Sequence, residues 1–301
     1  MSQEVELKLS LNEEIVSQFW ALDWFHSHPS IKKQPQKLLE NIYFDTPDLA
    51  LLKTRAALRI RKSGEQYLQT LKTKGVSIGG LHQRGEWEHI IGDTASLAGG
   101  SPQLKTELFP EDVWPEGLDT ASLIPVFETN FIRDVWLWRS ASGSVVEVVL
   151  DQGKVVSGEQ ESVICEMELE LVEGHAGCLF DLAEALTKTL PTLVSDTTKA
   201  QRGFELFSPG VWQVDHLSLS EVTASEECLN AVLQALMTGV QESDVAVFVA
   251  VLSQLVKDKV LPDLDVNPWL LQGNPNTLSD LSRAQWLLRL ARHAWLNAQS
   301  S

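Results

Sequence analysis

Apolar and charged residues alternate one for one in short runs along the first two thirds of the chain. The first run is Glu4-Val5-Glu6-Leu7-Lys8-Leu9. In a strand, side chains two apart share a face, so Glu4, Glu6 and Lys8 line one side and the apolar residues the other. Strand-like runs recur at 41–46, 56–62, 66–74, 84–91, 131–138, 144–151 and 163–171, which with 3–9 makes eight. No helix-length segment separates most of them, so the expected sheet is antiparallel. Residues 75–80 read as a flexible loop, and 92–125, with several Gly and Pro, as loop-rich.

The same division of faces repeats in each run. Arg59 and Arg61 lie opposite Leu58 and Ile60, and Lys72 and Lys74 share a face. Arg84, Glu86 and Glu88 share another, and Arg133 stands in the run 131–138. Glu147 and Asp151 oppose Val146, Val148 and Leu150, while Glu166, Glu168 and Glu170 alternate with Met167, Leu169 and Leu171. Two architectures satisfy this. The charges point to water around an ordinary core, or an eight-stranded barrel turns them inward and covers its apolar outside with helices. Periodicity fixes alternation and not which face is in. The segregation of cations to the middle strands and acids to the first and late ones favours an enclosed site.

Helical patterns flank the strands. Asn12 can cap a helix carrying Ile15, Phe19, Leu22 and Phe25. Leu179, Leu182, Ala183, Leu186 and Leu190 form another stripe, ended by Pro191. Beyond residue 211 the pattern becomes purely helical, with stripes at 223–240, 244–261 and 279–297. These stripes are read as the core of a small all-α domain spanning 211–301, after a first domain spanning 1–207.

Composition narrows the choice of partner. The net charge is -17, yet residues 1–84 hold 12 Lys/Arg against 9 Asp/Glu. A local anion site on an acidic protein fits this; a nucleic-acid or membrane surface, which needs a broad positive field, does not. Cys165, Cys178 and Cys228 show no CxxC spacing, and the longest wholly apolar run, 245–252, is too short to span a bilayer. A cytoplasmic setting is expected.

Taken in order, the charged runs resemble the CYTH family of triphosphate tunnel metalloenzymes. The resemblance covers residues 1 to about 207 and rests on Glu4-x-Glu6-x-Lys8, Tyr43-Phe44-Asp45-Thr46, Leu58-Arg59-Ile60-Arg61 and Lys72-x-Lys74, then on Arg84-x-Glu86-x-Glu88, Arg133, Asp151, Glu166-x-Glu168-x-Glu170 and Lys199…Arg202. ExExK alone is a wet strand face more often than a site; the ordered set is specific. The runs 79–84 and 150–153 are similar to family members that join CYTH to a helical CHAD domain. CHAD domains are longer and rich in histidine, whereas only His216 and His293 follow residue 210 here, so 211–301 reads as a shortened remnant of one.

The resemblance implies an α+β fold: a closed eight-stranded antiparallel tunnel with a charged interior and flanking helices. It implies hydrolysis of inorganic triphosphate, or of another small triphosphate, with Mg²⁺ or Mn²⁺. Arginine offers a planar fork to phosphate oxygens and lysine a mobile point charge. Lys8, Arg59, Arg61, Lys72, Lys74, Arg84, Arg133, Lys199 and Arg202 are the implied substrate cations. Hard divalent ions prefer carboxylate oxygens, so Glu4, Glu6, Glu166 and Glu168 are the implied metal ligands. Glu170 is one more implied ligand or only the end of a wet strand face, Glu147 is a further candidate, and Glu86, Glu88 and Asp151 would orient water or tune a lysine. A class IV adenylyl cyclase, a nucleoside or thiamine triphosphatase, and a non-catalytic polyphosphate-binding module remain alternatives. There is no P-loop, no zinc spacing and no HxxxH pair, and oligomeric state is left open.

Overall fold

In the computed structural model of the chain, residues 2–95, 102–211, 232–233, 250 and 280–300 are described. Eight long antiparallel strands form the body: β1 (Ser2–Ser10), β2 (Ile31–Asp45), β3 (Ala57–Ser63), β4 (Gln66–Lys72), β6 (Leu81–Asp93), β7 (Ile124–Arg139), β8 (Val145–Ser157) and β9 (Gln160–Glu173). Their order runs β1-β9-β8-β7-β2-β3-β4-β6, and β6 pairs back to β1, which closes the barrel. Two short strands, β5 (Val76–Ile78) and β10 (Leu193–Val194), extend it at β6 and β1. Segment 75–80 is therefore not a free loop. Its middle pairs with 81–83 across a Gly79-Gly80 turn whose φ values are +58° and +81°.

Closure settles which face is in. Apolar Leu7, Leu9, Val148, Leu150, Met167 and Leu169 are on the outside of the barrel, buried under helices. Glu4, Glu6 and Lys8, only 8%, 2% and 4% exposed, are inside it. The helices that cover the outside are α1 (Glu13–Trp20), α2 (Asp23–His26) and α4 (Gly177–Leu186), while the short α3 (Ala50–Lys53) follows β2. The stripe expected to run through Phe25 as one helix is thus broken after Trp20, where the Ala21 N–H turns back to the carbonyl oxygens of Gln18 and Phe19. Asn12 caps α1 as expected, its Oδ1 accepting the Ile15 N–H at 2.9 Å.

Helix α5 (Lys199–Phe207) lies at one end of the barrel, with Phe204 packed among Phe127, Phe131 and Val155. Gly203 permits that approach: a Cβ there would stand 2.1 Å from the Phe127 ring. The last helix, α6 (Asp280–Ser300), packs Leu287, Leu288, Leu290 and Ala291 into the same cluster as α1 and α4. Arg292 ties it to Asp181 at 2.8 Å and Glu184 at 2.9 Å. Ala291 abuts Gly79, where a Cβ would come within 2.6 Å. The other two helices expected in the tail, 223–240 and 244–261, lie outside the described residues, apart from buried Val232 and Leu233 and exposed Ala250. No described helix is long and apolar enough to cross a membrane.

Candidate active site

A cavity of about 290 Å³ occupies the barrel interior. Register explains its lining. Antiparallel partners share a face, so Glu4 opposite Arg84, Glu6 opposite Glu170, Lys8 opposite Glu168 and Asp151 opposite Arg133 all point the same way. Of the sequence candidates, Glu4, Glu6, Lys8, Arg59, Arg61, Lys72, Arg84, Glu86, Glu88, Arg133, Glu147, Glu168, Glu170 and Lys199 line this space.

Most of the cations are held by acids. Arg84 donates from Nε to Glu4 at 2.7 Å and from Nη2 to Glu6 at 3.0 Å. Lys72 bonds Glu4 and lies 3.4 Å from Glu86. Lys8 bonds Glu168 and lies 3.2 Å from Glu6. Arg133 forks onto Asp151 at 2.7 and 2.6 Å and reaches Glu168 at 2.7 Å. Lys199, the first residue of α5 after its cap Thr198, reaches in to Asp151 at 2.7 Å, to Glu168 at 3.1 Å and to Glu166. Burial alone would raise the carboxyls of Glu4, Asp151 and Glu168. The facing Lys and Arg instead hold all three below their ordinary range.

Arg61 is different. Its Nε donates to Asn41 Oδ1 at 2.7 Å, and among the described residues no carboxylate lies within salt-bridge reach of it. Burial, with Arg59 and Arg133 nearby, pulls it down to about 9. A guanidinium stays charged in proteins, so burial and the two neighbouring cations leave Arg61 in a position that an added anion would stabilise. Arg59 is only loosely engaged, 3.4 Å from the Tyr43 hydroxyl and 3.9 Å from Glu86.

The acids show the converse. Glu88, Glu147 and Glu170 line the cavity with no cation within salt-bridge distance among the described residues. Burial first, then Glu4, Glu6 and Glu168 against the opposing Lys72, push Glu170 up to about 7. A divalent cation would relieve that crowding. The oxygens of Asp151, Glu166 and Glu168 also converge within 4.8 Å, but each already faces Arg133, Lys199, Lys8 or Arg202. The donor chemistry of this triple suits a hard cation, and Glu170, with no cation partner among the described residues, is a further acid that such an ion would relieve.

Four candidates lie apart from the cavity lining, Asp151 among them, fully buried behind Arg133 and Lys199. Lys74, beyond the end of β4, is exposed. Arg202 bonds Glu166 and donates to the Val163 carbonyl at 3.0 Å, bracing α5 against β9. Glu166 is buried between Lys199 and Arg202. Conversely, Asn41, Tyr43 and Lys37 belong to the site's surroundings and were not among the candidate residues. Asn41 orients Arg61 and also donates to the Thr129 carbonyl at 2.9 Å. Tyr43 stacks on Phe127 at 4.5 Å while receiving Arg59. Both stand on the charged-face parity of β2, which was the available signal.

Comparison with known proteins then places the chain. The CYTH domain family matches residues 2–204. The chain belongs to the CYTH family. One CYTH relative is the inorganic triphosphatase of Haemophilus influenzae strain Rd, 36% identical over 208 residues. The match covers 69% of this chain and 56% of that protein, so the chain spans little more than half the length of its curated relative. Among solved structures, a Hippeastrum protein described as an adenylyl cyclase with a dominant triphosphatase activity superposes with a TM-score of 0.45 at 22% identity, covering 70% of this chain and 97% of that one. A Pyrococcus horikoshii OT3 protein gives 0.43 at 19%, covering 67% and 99%.

Proposed function

We propose that this CYTH protein hydrolyses inorganic triphosphate to pyrophosphate and phosphate, with Mg²⁺ or Mn²⁺ as cofactor. The observation that carries the reading is Arg61: a cation held by Asn41 inside a closed barrel, beside Arg59 and Arg133, with no acid of its own. A polyanion supplies what that arc lacks. Arg59 and Arg61 offer planar forks to adjacent phosphoryl oxygens, and Lys72 a third contact.

Glu4, Glu6, Glu168 and Glu170 would hold the divalent ion, which when bound neutralises phosphoryl charge. The chain's own groups do the rest. A carboxylate without a cation partner, Glu88 or Glu147, orients water and accepts its proton. The water oxygen bonds to the terminal phosphorus as the bridging P–O bond breaks. Charge on the leaving pyrophosphate oxygen falls on Arg133 and Lys199, preorganised by Asp151. The cyclase alternative draws no support from the lining. Its one aromatic among the described residues is Tyr43, whose ring is already stacked on Phe127.

Phosphate release from tripolyphosphate, ATP and long-chain polyphosphate, each with Mg²⁺, Mn²⁺ or chelator, tests the reading. Metal-dependent release, greatest from tripolyphosphate, is expected. No release above background would reject it and leave a binding module.

A further inference from the structure

We propose that Lys37 is a specificity-determining residue of this site, recognising the charge on the non-reacting end of the substrate. The proposal rests on the triphosphatase reading above. Lys37 lines the cavity yet is exposed, unlike buried Lys8, Arg133 and Lys199, so it stands at the mouth. Among the described residues no carboxylate lies within salt-bridge distance of its Nζ.

Its inward direction follows from plain alternation: Lys37, Leu39, Asn41 and Tyr43 share one face of β2 in an unbroken register with β7. A β-bulge lies just before it: Gln34 pairs with Val135 and Lys37 with Arg133, so three steps along β2 match two along β7. Pro35, which cannot donate to the ladder, sits within the bulge. Asp134 pins it from β7, accepting from Gln36 Nε2 at 3.1 Å and facing Lys33 at 3.4 Å. Lys37, a cation with no acid partner among the described residues, thus stands directly opposite Arg133.

The chemistry at this position discriminates between substrates. In inorganic triphosphate both ends are terminal phosphoryl groups that ionise twice. In a nucleoside triphosphate the non-reacting end is esterified and carries a single charge. A lysine at the mouth therefore favours the free chain over the nucleotide.

The test compares wild type with Lys37→Gln and Lys37→Arg, by steady-state kinetics on tripolyphosphate and ATP and by calorimetric binding of tripolyphosphate without metal. Loss of one charge-assisted contact should raise the tripolyphosphate KM of Lys37→Gln roughly fivefold, with kcat changed less than about twofold. ATP should respond less, narrowing the preference between them, and Lys37→Arg should restore it. If wild type is active and Lys37→Gln matches it in KM and in preference, the Lys37 proposal alone fails. If wild type releases no phosphate but its calorimetric affinity for tripolyphosphate still falls in Lys37→Gln, the enzyme reading fails and the Lys37 contact stands. Equal affinities of wild type and Lys37→Gln overturn the contact.

Discussion

Replacing Arg61 with methionine should make the ligand-free protein more stable while depriving it of its anion. Methionine keeps much of the aliphatic stem and removes the charge. Burial and the nearby Arg59 and Arg133 hold Arg61 at about 9 rather than 12.5, which corresponds to at most about 5 kcal/mol of unfavourable interaction. The side chain is only partly buried against the cavity, so solvent screening reduces this to about 2 kcal/mol. Against the gain stands Asn41 Oδ1, which loses the Arg61 Nε donor and costs about 1 kcal/mol as an unpaired buried acceptor. The expected net is about 1 kcal/mol, or roughly 2 °C in Tm. Thermal unfolding at low ionic strength, with chelator, gives the first readout. The second is the rise in Tm on adding tripolyphosphate, expected to be large for wild type and small for Arg61→Met. Salt should shrink the first difference, because it screens like charges. A variant that melts lower than wild type at low salt, or one that tripolyphosphate stabilises equally, refutes the reasoning.

Glu170→Gln should flatten the pH dependence of stability in chelator. The unfolded carboxyl ionises near 4.5 and the folded one only near 7, so stability falls as pH rises through that window, by at most about 3 kcal/mol. Urea denaturation at pH 5 and pH 8 measures the drop, which should vanish in the variant. Arg133→Met removes the fork from buried Asp151 and Glu168 and should cost about 3–5 kcal/mol in the same assay; a loss under about 1 kcal/mol would mean those acids find other partners. A chain ending at Ser208 loses α6 and its packing on α4, and should melt lower by calorimetry yet keep turnover per folded molecule. Loss of turnover with unchanged melting would give the tail a functional role instead.

Much of the barrel was legible because one face of nearly every strand is charged. All eight long strands appear in the alternation, and so do most of the cavity-lining residues. What alternation cannot express is which face is inside; the β6–β1 pairing that closes the sheet decides it, a contact between residues about 80 positions apart. Strand ends were the weaker part. β2 begins at Ile31 rather than near Asn41: the bulge at Pro35 breaks the two-residue period before Lys37, and Leu38 outside with Leu39 inside masks it after Lys37. β7 begins at Ile124, before Pro125, where the pattern suggested loop. Lys74 was carried in by parity from Lys72, but β4 ends at Lys72 and the parity no longer applies. Arg202 and Glu166 show the opposite limit: right chemistry, yet spent on each other at the foot of α5.

The position of β1 between β6 and β9 has a consequence for how the chain acquires its structure. As synthesis proceeds, β1 can pair with β6 once about 90 residues exist, giving an open sheet of five strands. Its other edge then waits for residues 160–173, and the edge of β2 waits for 124–139. Until β7, β8 and β9 arrive as a meander, two bare strand edges face solvent, the arrangement through which sheets join one another. Arg61, which has no carboxylate within salt-bridge reach among the described residues even in the closed barrel, adds an unbalanced cation to that half-built inner face and opposes its joining to a second copy. The charge pattern that suits the tunnel to its anion thus also guards the intermediate that precedes it.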